Sequence, residues 1–224
     1  MNEITVTGLI LSVMPIGEYD RRTEILTDSL GRISAFARGA RKPGSSLVSV
    51  TRVFAFGTFH LYQGKSSYSI NSAEISDYFD AFASDLECTG YGFYFLELAR
   101  YFSRENVEAS DMLKLLFYSL KALERTGIPK GLIRRIYELK MLHLSGLCPS
   151  AERLAAADAV YAFAKGISGS CLKAFRYVTQ TRIEKLFTFR LSPDVQSEFD
   201  GIVQHLLKQS VDREFRSEQF LEIL

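Results

Sequence analysis

The stretch Arg52-Val53-Phe54-Ala55-Phe56-Gly57-Thr58-Phe59-His60-Leu61-Tyr62 decides how the first part of this chain folds. Phe54, Phe56, Thr58, His60 and Tyr62 fall on one face of an extended strand. Val53, Ala55, Gly57, Phe59 and Leu61 fall on the other. A period of two in an aromatic-rich run marks a strand, because successive side chains leave opposite faces. The neighbours read the same way. Ile4 to Val13 alternates, and Thr23 to Asp28 and Arg32 to Ala37 flank the turn Ser29-Leu30-Gly31. Gln63-Gly64-Lys65 turns the chain into a further strand from Ser67 to Ile75. Five short strands imply a small closed or half-closed barrel, since closure removes exposed edges. An OB-type barrel has this strand count, and the count alone does not separate it from an SH3-like barrel.

After Asp77 the period lengthens. Tyr91, Phe95, Leu98 and Phe102 stand at helical spacing, as do Leu113, Leu116, Leu120 and Leu123 before the stop Thr126-Gly127-Ile128-Pro129. Leu132, Ile136 and Leu139 predict a third helix, closed by Gly146. Ala151 to Ala164 reads as either a helix or an irregular insert, and Leu172, Phe175 and Val178 resume a helical stripe. Ser192, Pro193 and Asp194 open the last helix as cap, first residue and dipole-compatible acid. The expected architecture is α+β: a five-stranded OB-type barrel over residues 1–78, then a bundle of five or six helices over 79–224.

The bulk composition sets limits. With 27 Lys and Arg against 26 Asp and Glu, the formal charge of +1 excludes a histone-like polycation, so any polyanion site must be a patch. No apolar run reaches the roughly 20 residues of a membrane span, and Met1-Asn2-Glu3-Ile4 lacks a signal-peptide plan. Cys88, Cys148 and Cys171 are odd in number and lack a CxxC pair. A reducing cytoplasm, without disulfides, is expected. A zinc site from Cys148, Cys171 and a histidine is the less favoured alternative to buried thiols.

The patch is visible. Between Gly31 and Ala73 stand Arg32, Arg38, Arg41, Lys42, Arg52 and Lys65, with no acidic residue. The segment from Phe36 to Ser46 leaves a strand and enters a glycine-containing flexible loop with three cations in five positions, suited to phosphate contact. Phe36, Phe54, Phe56, Tyr62 and Tyr68 are candidates to stack on unpaired bases. From Ala159 to Leu191, six cations against Glu184 form a second basic stretch, read as a solvated helix face or an extension of the same path. Reaction chemistry is not legible. His60, His143 and His205 have no metal-ligand spacing, and there is no Gly-x-Ser-x-Gly elbow or phosphate-cradling loop. Glu18, Asp20, Glu24 and Asp28 could hold magnesium for a nuclease, but Arg21 and Arg22 favour salt bridging.

A resemblance emerges from the order of motifs. Gly17-Glu18-Tyr19-Asp20, Leu26-Thr27, Leu30-Gly31-Arg32-Ile33-Ser34-Ala35 and Ala37-Arg38-Gly39-Ala40-Arg41-Lys42 resemble the bacterial recombination mediator family RecO. The likeness continues through Phe54, Gly57, Leu61-Tyr62, Ala73-Glu74 and Arg135-Ile136-Tyr137-Glu138-Leu139 with Leu142, Gly146 and Leu147. It ends with Lys185-Leu186-Phe187 and the run from Asp212 to Ser217. It implies an OB barrel, a helical domain, and a non-catalytic repair factor without a cofactor. Such proteins bind single- and double-stranded DNA, promote annealing, and with RecR help RecA displace single-strand-binding protein (SSB). The resemblance places Arg38, Arg41 and Lys42 on the family's basic barrel motif; Arg32 and Lys65, from the charge patch itself, are further candidate DNA contacts. It places Arg135 against the acidic SSB tail, with Arg134 and Lys140 as weaker candidates. Spacing alone also allows Arg135 to pair with Glu138 at i+3. Many such chains insert a four-cysteine zinc module where this one has only a short segment over 147–169, so no zinc is expected. The location implied is cytoplasmic and nucleoid-associated. The rival reading is a protein-interaction scaffold whose barrel and helical groove bind protein partners rather than DNA.

Overall fold

The computed structural model describes residues 2–65, 67–125, 127–156, 161–221 and 223. Five strands, β1 (Asn2–Ile16), β2 (Asp20–Thr27), β3 (Gly31–Ala37), β4 (Phe56–Gln63) and β5 (Tyr68–Asp77), close into a barrel in the order β1-β2-β3-β5-β4. β1 serves two neighbours: Asn2 to Leu9 pairs with β4, and Gly8 to Ile16 pairs with β2. β3 and β5 meet in parallel, Ala35 opposite Tyr68 and Phe36 opposite Ser69. A short helix, α1 (Leu47–Val50), lies in the crossover from β3 to β4. This OB-type arrangement is decided by strand register, which the strand count left open. Inside lie Val6, Ile10, Ile25, Ile33, Phe59 and Leu61. Full burial of such a side chain contributes about 1.5–3 kcal/mol.

One strand differs from the sequence reading. β4 starts at Phe56, and Arg52 to Ala55 form a turn. Phe54 adopts a left-handed φ of 73°, which costs an L-residue about 1–2 kcal/mol. Its ring is the reason. It leaves the barrel and packs edge-on to Phe82 at 5.3 Å and against Phe93 at 5.1 Å. Burial of a phenyl group offsets the backbone cost. Gly92 makes the space, since a Cβ there would stand 2.9 Å from the Phe82 ring and 3.1 Å from that of Phe54.

The remaining described elements are helical: α2 (Leu86–Phe102), α3 (Ser110–Leu123), α4 (Lys130–Leu144), α5 (Ala151–Ala156), α6 (Gly169–Gln180), α7 (Pro193–Ser210) and α8 (Arg216–Leu221). These are one or two more than periodicity suggests, because α5 and α8 are too short to show a stripe. Of the insert at 147–169, residues 157–160 lie outside the described residues. The Cys148 and Cys171 thiols are each pushed up to about 12 by burial. Among the described residues, no helix is long and apolar enough to cross a membrane.

Barrel and bundle share a core. Leu9, Leu11 and Leu26 point outward from the barrel into the helical cluster, and Phe56 meets Phe117 at 4.4 Å. The β2–β3 turn is zipped to the α2–α3 connection by main-chain bonds. Arg32 N–H donates to the Arg104 carbonyl (3.1 Å), Asn106 N–H to Leu30 (2.9 Å), and Ala109 N–H to Asp28 (2.9 Å). Gly31, at φ 67°, permits this approach, for a Cβ there would stand 2.0 Å from the Arg104 carbonyl oxygen.

Candidate nucleic-acid interface

The loop after β3 is a built turn rather than the flexible segment that its composition suggests. Gly39 N–H donates to Asp20 Oδ1 at 2.7 Å, and Arg41 N–H donates to the Tyr19 carbonyl at 2.8 Å, pinning the loop to the β1–β2 hairpin. Lys42 N–H returns to the Gly39 carbonyl at 3.0 Å, and Ala40 is buried as an anchor. Arg38, Arg41 and Lys42 are left exposed, and Arg38 and Lys42 line a concavity with Asp20, Gly39, Pro43 and Gly44. Arg41 Nη1 donates to the Gly17 carbonyl at 3.2 Å, and Lys42 Nζ lies 5.5 Å from the Tyr19 ring centre. Among the described residues, no carboxylate forms an ion pair with any of these three cations. The arrangement presents exposed positive charge, carried on a pinned backbone, to a polyanion.

The other sequence candidates go elsewhere. Arg32 points to the barrel–bundle junction, where its Nη1 lies 3.1 Å from Glu24 Oε1. Glu24 also pairs with Arg100 of α2 and accepts from Ser12 Oγ at 2.9 Å. Arg32 is therefore neutralised by a carboxylate and is not part of the loop cluster. Lys65 is exposed in the β4–β5 turn, apart from the loop. Of the five candidate stacking rings, Phe54 and Phe56 pack into the bundle and Tyr68 is buried in the barrel. Core packing buries Phe54 and Tyr68, and Phe56 is partly buried against Phe117. Phe36 and Tyr62 remain half-buried on the outer surface.

The acidic cluster is dispersed. Glu24 is ion-paired, Asp20 holds Gly39, and Asp28 accepts from the N–H of Ser29 at 2.7 Å. Among the described residues, no group of three or more His, Cys, Asp or Glu converges as a metal site would.

The cations assigned to the helical domain by resemblance are engaged inside it. Arg135 Nη1 lies 2.7 Å from Glu138 Oε2 and its Nε lies 3.7 Å from Asp200 Oδ1. Arg134 pairs with the other oxygen of Glu138 at 2.7 Å and with Glu218, and lies over the Tyr94 ring. Burial holds the Asp200 carboxyl above the usual carboxylate range, with the nearby Arg135 opposing the shift. Lys140 is buried and donates to the carbonyls of Thr179 (2.8 Å) and Thr181 (3.0 Å), closing the end of α6. Burial lowers its pKa. Lys140 is a structural cap, and the two arginines are members of an internal ion network. The i+3 pairing of Arg135 with Glu138 is realised, with Glu138 fully buried.

Two features escaped the sequence reading. Arg22 is exposed and donates from Nε to Ser34 Oγ at 2.7 Å, beside Phe36. An apolar groove of 460 Å³ lies between β1, α2 and α8, lined by Leu11, Leu86, Phe93, Leu96 and Phe220 and edged by Arg216. No sequence signal marks it, because its walls come from three separated segments. In the second basic stretch, Arg176 pairs with Glu152 at 3.1 Å and Arg182 with Glu184 at 3.6 Å.

Comparison with known proteins covers nearly the whole chain. The family described as "Recombination protein O N terminal" matches residues 1–79, and "Recombination protein O C terminal" matches residues 83–219. The chain is 28% identical to the DNA repair protein RecO of Acetivibrio thermocellus, an alignment covering 100% of this chain and 98% of the relative. It is 26% identical to that of Clostridium novyi, covering 97% of this chain and 93% of the relative. It is 28% identical to that of Clostridium acetobutylicum, covering 97% and 96%. A five-stranded barrel followed by a helical region, matched along nearly its full length by both parts of one DNA repair and recombination family, means that this chain belongs to the RecO family.

Proposed function

We propose that the protein is a non-catalytic recombination mediator that grips the phosphate backbone of single- and double-stranded DNA with Arg38, Arg41 and Lys42. In this reading it promotes annealing and, with RecR, assists RecA on SSB-coated strands. The observation that carries it is the pinned loop: its backbone is fixed at Gly39, Arg41 and Lys42, and the exposed side chains of Arg38, Arg41 and Lys42 have no carboxylate ion-pair partners among the described residues. A backbone already fixed need not be ordered on binding, and each phosphate neutralised releases condensed counterions. Arg32 is left out, because Glu24 already satisfies it. The test is oligonucleotide affinity as a function of salt. Arg41→Ala and Lys42→Ala should each flatten the log–log slope by about 0.7–0.9, and negligible affinity at low salt would refute the proposal.

A protein-docking role has its own support in the apolar groove. Leu86, Phe93 and Phe220 are exposed there, and Arg216 makes no ion pair among the described residues. An acidic tail with an apolar end suits that combination. Arg134, Arg135 and Lys140 suit it less, because their donors are already used. In a peptide titration, Arg216→Glu should weaken an SSB tail while leaving DNA affinity unchanged.

A further inference from the structure

The basic loop is bent by bonds between near neighbours. Lys42 N–H donates to the Gly39 carbonyl at 3.0 Å, Ser45 N–H to Lys42 at 3.2 Å, and Val48 N–H to Ser45 at 3.2 Å. Such turns set the curvature of a loop but not its place on the barrel. Two consecutive side chains at the start of β2 supply bonds that do place it. Asp20 accepts the Gly39 N–H at 2.7 Å and so holds the entry of the loop. Arg21 holds the exit: its Nη1 donates to the Val48 carbonyl (3.0 Å), the Thr51 carbonyl (3.1 Å) and Thr51 Oγ1 (2.8 Å), fastening α1 to β2. Thr51 is buried, and its hydroxyl donates onward to the Leu47 carbonyl at 2.6 Å.

Charge and bonding make opposite demands on this pair. Asp20 lines the same concavity as Arg38 and Lys42, yet among the described residues it forms an ion pair with neither. By charge alone its carboxylate repels phosphate, and its removal should tighten DNA binding. By charge alone Arg21 is a further phosphate contact, and its removal should flatten the salt slope. The hydrogen bonds reverse both expectations. A carboxylate that accepts a main-chain N–H makes a charge-assisted bond. A loop that must first be brought into place loses affinity in proportion to its competent fraction.

We infer that Asp20 and Arg21 are positioning residues of the DNA loop: Asp20 strengthens DNA binding despite its negative charge, and Arg21 strengthens it without meeting a phosphate. The inference rests on the DNA reading above and adds to it the side chains that hold the backbone beneath Arg38, Arg41 and Lys42. Asparagine at position 20 separates the bond from the charge, because an amide oxygen still accepts the Gly39 N–H.

The test is oligonucleotide affinity as a function of salt, with amide exchange at Gly39 as a second readout. Asp20→Ala should lower affinity about 10-fold at an unchanged slope and speed exchange at Gly39. Asp20→Asn should bind at least as tightly as the parent and keep that protection. Arg21→Ala should lower affinity at an unchanged slope. Should Asp20→Ala fail to fold, Asp20→Asn and Arg21→Ala carry the test. Tighter binding by Asp20→Ala, equal losses for Asp20→Ala and Asp20→Asn, or a slope reduced by about 0.7–0.9 in Arg21→Ala would each overturn the inference. If these variants bind as the parent does while Arg41→Ala still flattens the slope, the positioning role falls and the DNA reading stands. Absence of DNA binding by the parent at low salt removes both.

Discussion

Tyr94 donates its hydroxyl to Glu138 Oε1 across 2.6 Å, and both side chains are fully withdrawn from solvent. The same carboxylate takes Arg134 and Arg135, and Arg134 reaches on to Glu218 of α8. One buried anion thus ties α2, α4 and the C-terminal helix together. Removing a single partner from such a network leaves uncompensated buried charge. Glu138→Ala should therefore destabilise the fold by about 3–5 kcal/mol, read by urea denaturation. A loss below 1 kcal/mol would show that the network is wet and weak.

Arg32 and Arg41 are both arginines of the basic segment with opposite fates. Arg32→Ala should leave the salt slope of DNA binding unchanged while lowering stability by about 1 kcal/mol, because its guanidinium serves Glu24. The contrast with Arg41→Ala is measured in the same titration. A reduced slope for Arg32→Ala would mean that the ion pair opens on binding.

Gly31 carries the barrel–bundle junction. An alanine there meets the Arg104 and Val107 carbonyl oxygens at 2.0 and 2.5 Å and must hold a φ of 67°. Gly31→Ala should cost more than about 2 kcal/mol and show its first loss of amide protection at the bonds joining residues 28–32 to 104–109. A wild-type melting temperature would refute the account.

Asp85 caps α2. Its carboxylate accepts the Cys88 N–H at 2.9 Å and faces Lys130 at 3.0 Å. The backbone bond first, then the Cys88 thiol and Lys130, hold its pKa well below the usual carboxylate range. A folded-state pKa below the unfolded one gives stability that is present above the unfolded pKa, near 4, and lost as pH falls further. Asp85→Ala should lose about 1 kcal/mol at pH 7. Its acid limb below about pH 4 should be flatter than that of the parent. An unchanged acid limb would contradict the assignment.

Legibility followed locality. The alternation of β4 beyond Phe56 and the stripes of α2, α3, α4 and α7 could be read in the chain because each belongs to a single element. Phe54 broke the pattern because a distant helix offered its ring a better place than the strand did. The exposed loop cations were legible from their spacing, but the bonds from Asp20 and Tyr19 that fix the loop were not. Arg134, Arg135 and Lys140 look like surface cations in a helical sequence, and only packing shows that their donors are consumed.

By itself the sequence determined the succession of strands and helices, the placing of positive charge in the first part of the chain, and the order of motifs that joins it to its family. Those properties are set by neighbours along the backbone. The tertiary structure alone decided the closure of the barrel, the satisfaction of Arg32 by Glu24, and the bonds from Asp20 and Arg21 that place the basic loop. Each depends on register between strands or on contacts across the chain, where burial and charge pairing act between residues that the sequence holds far apart.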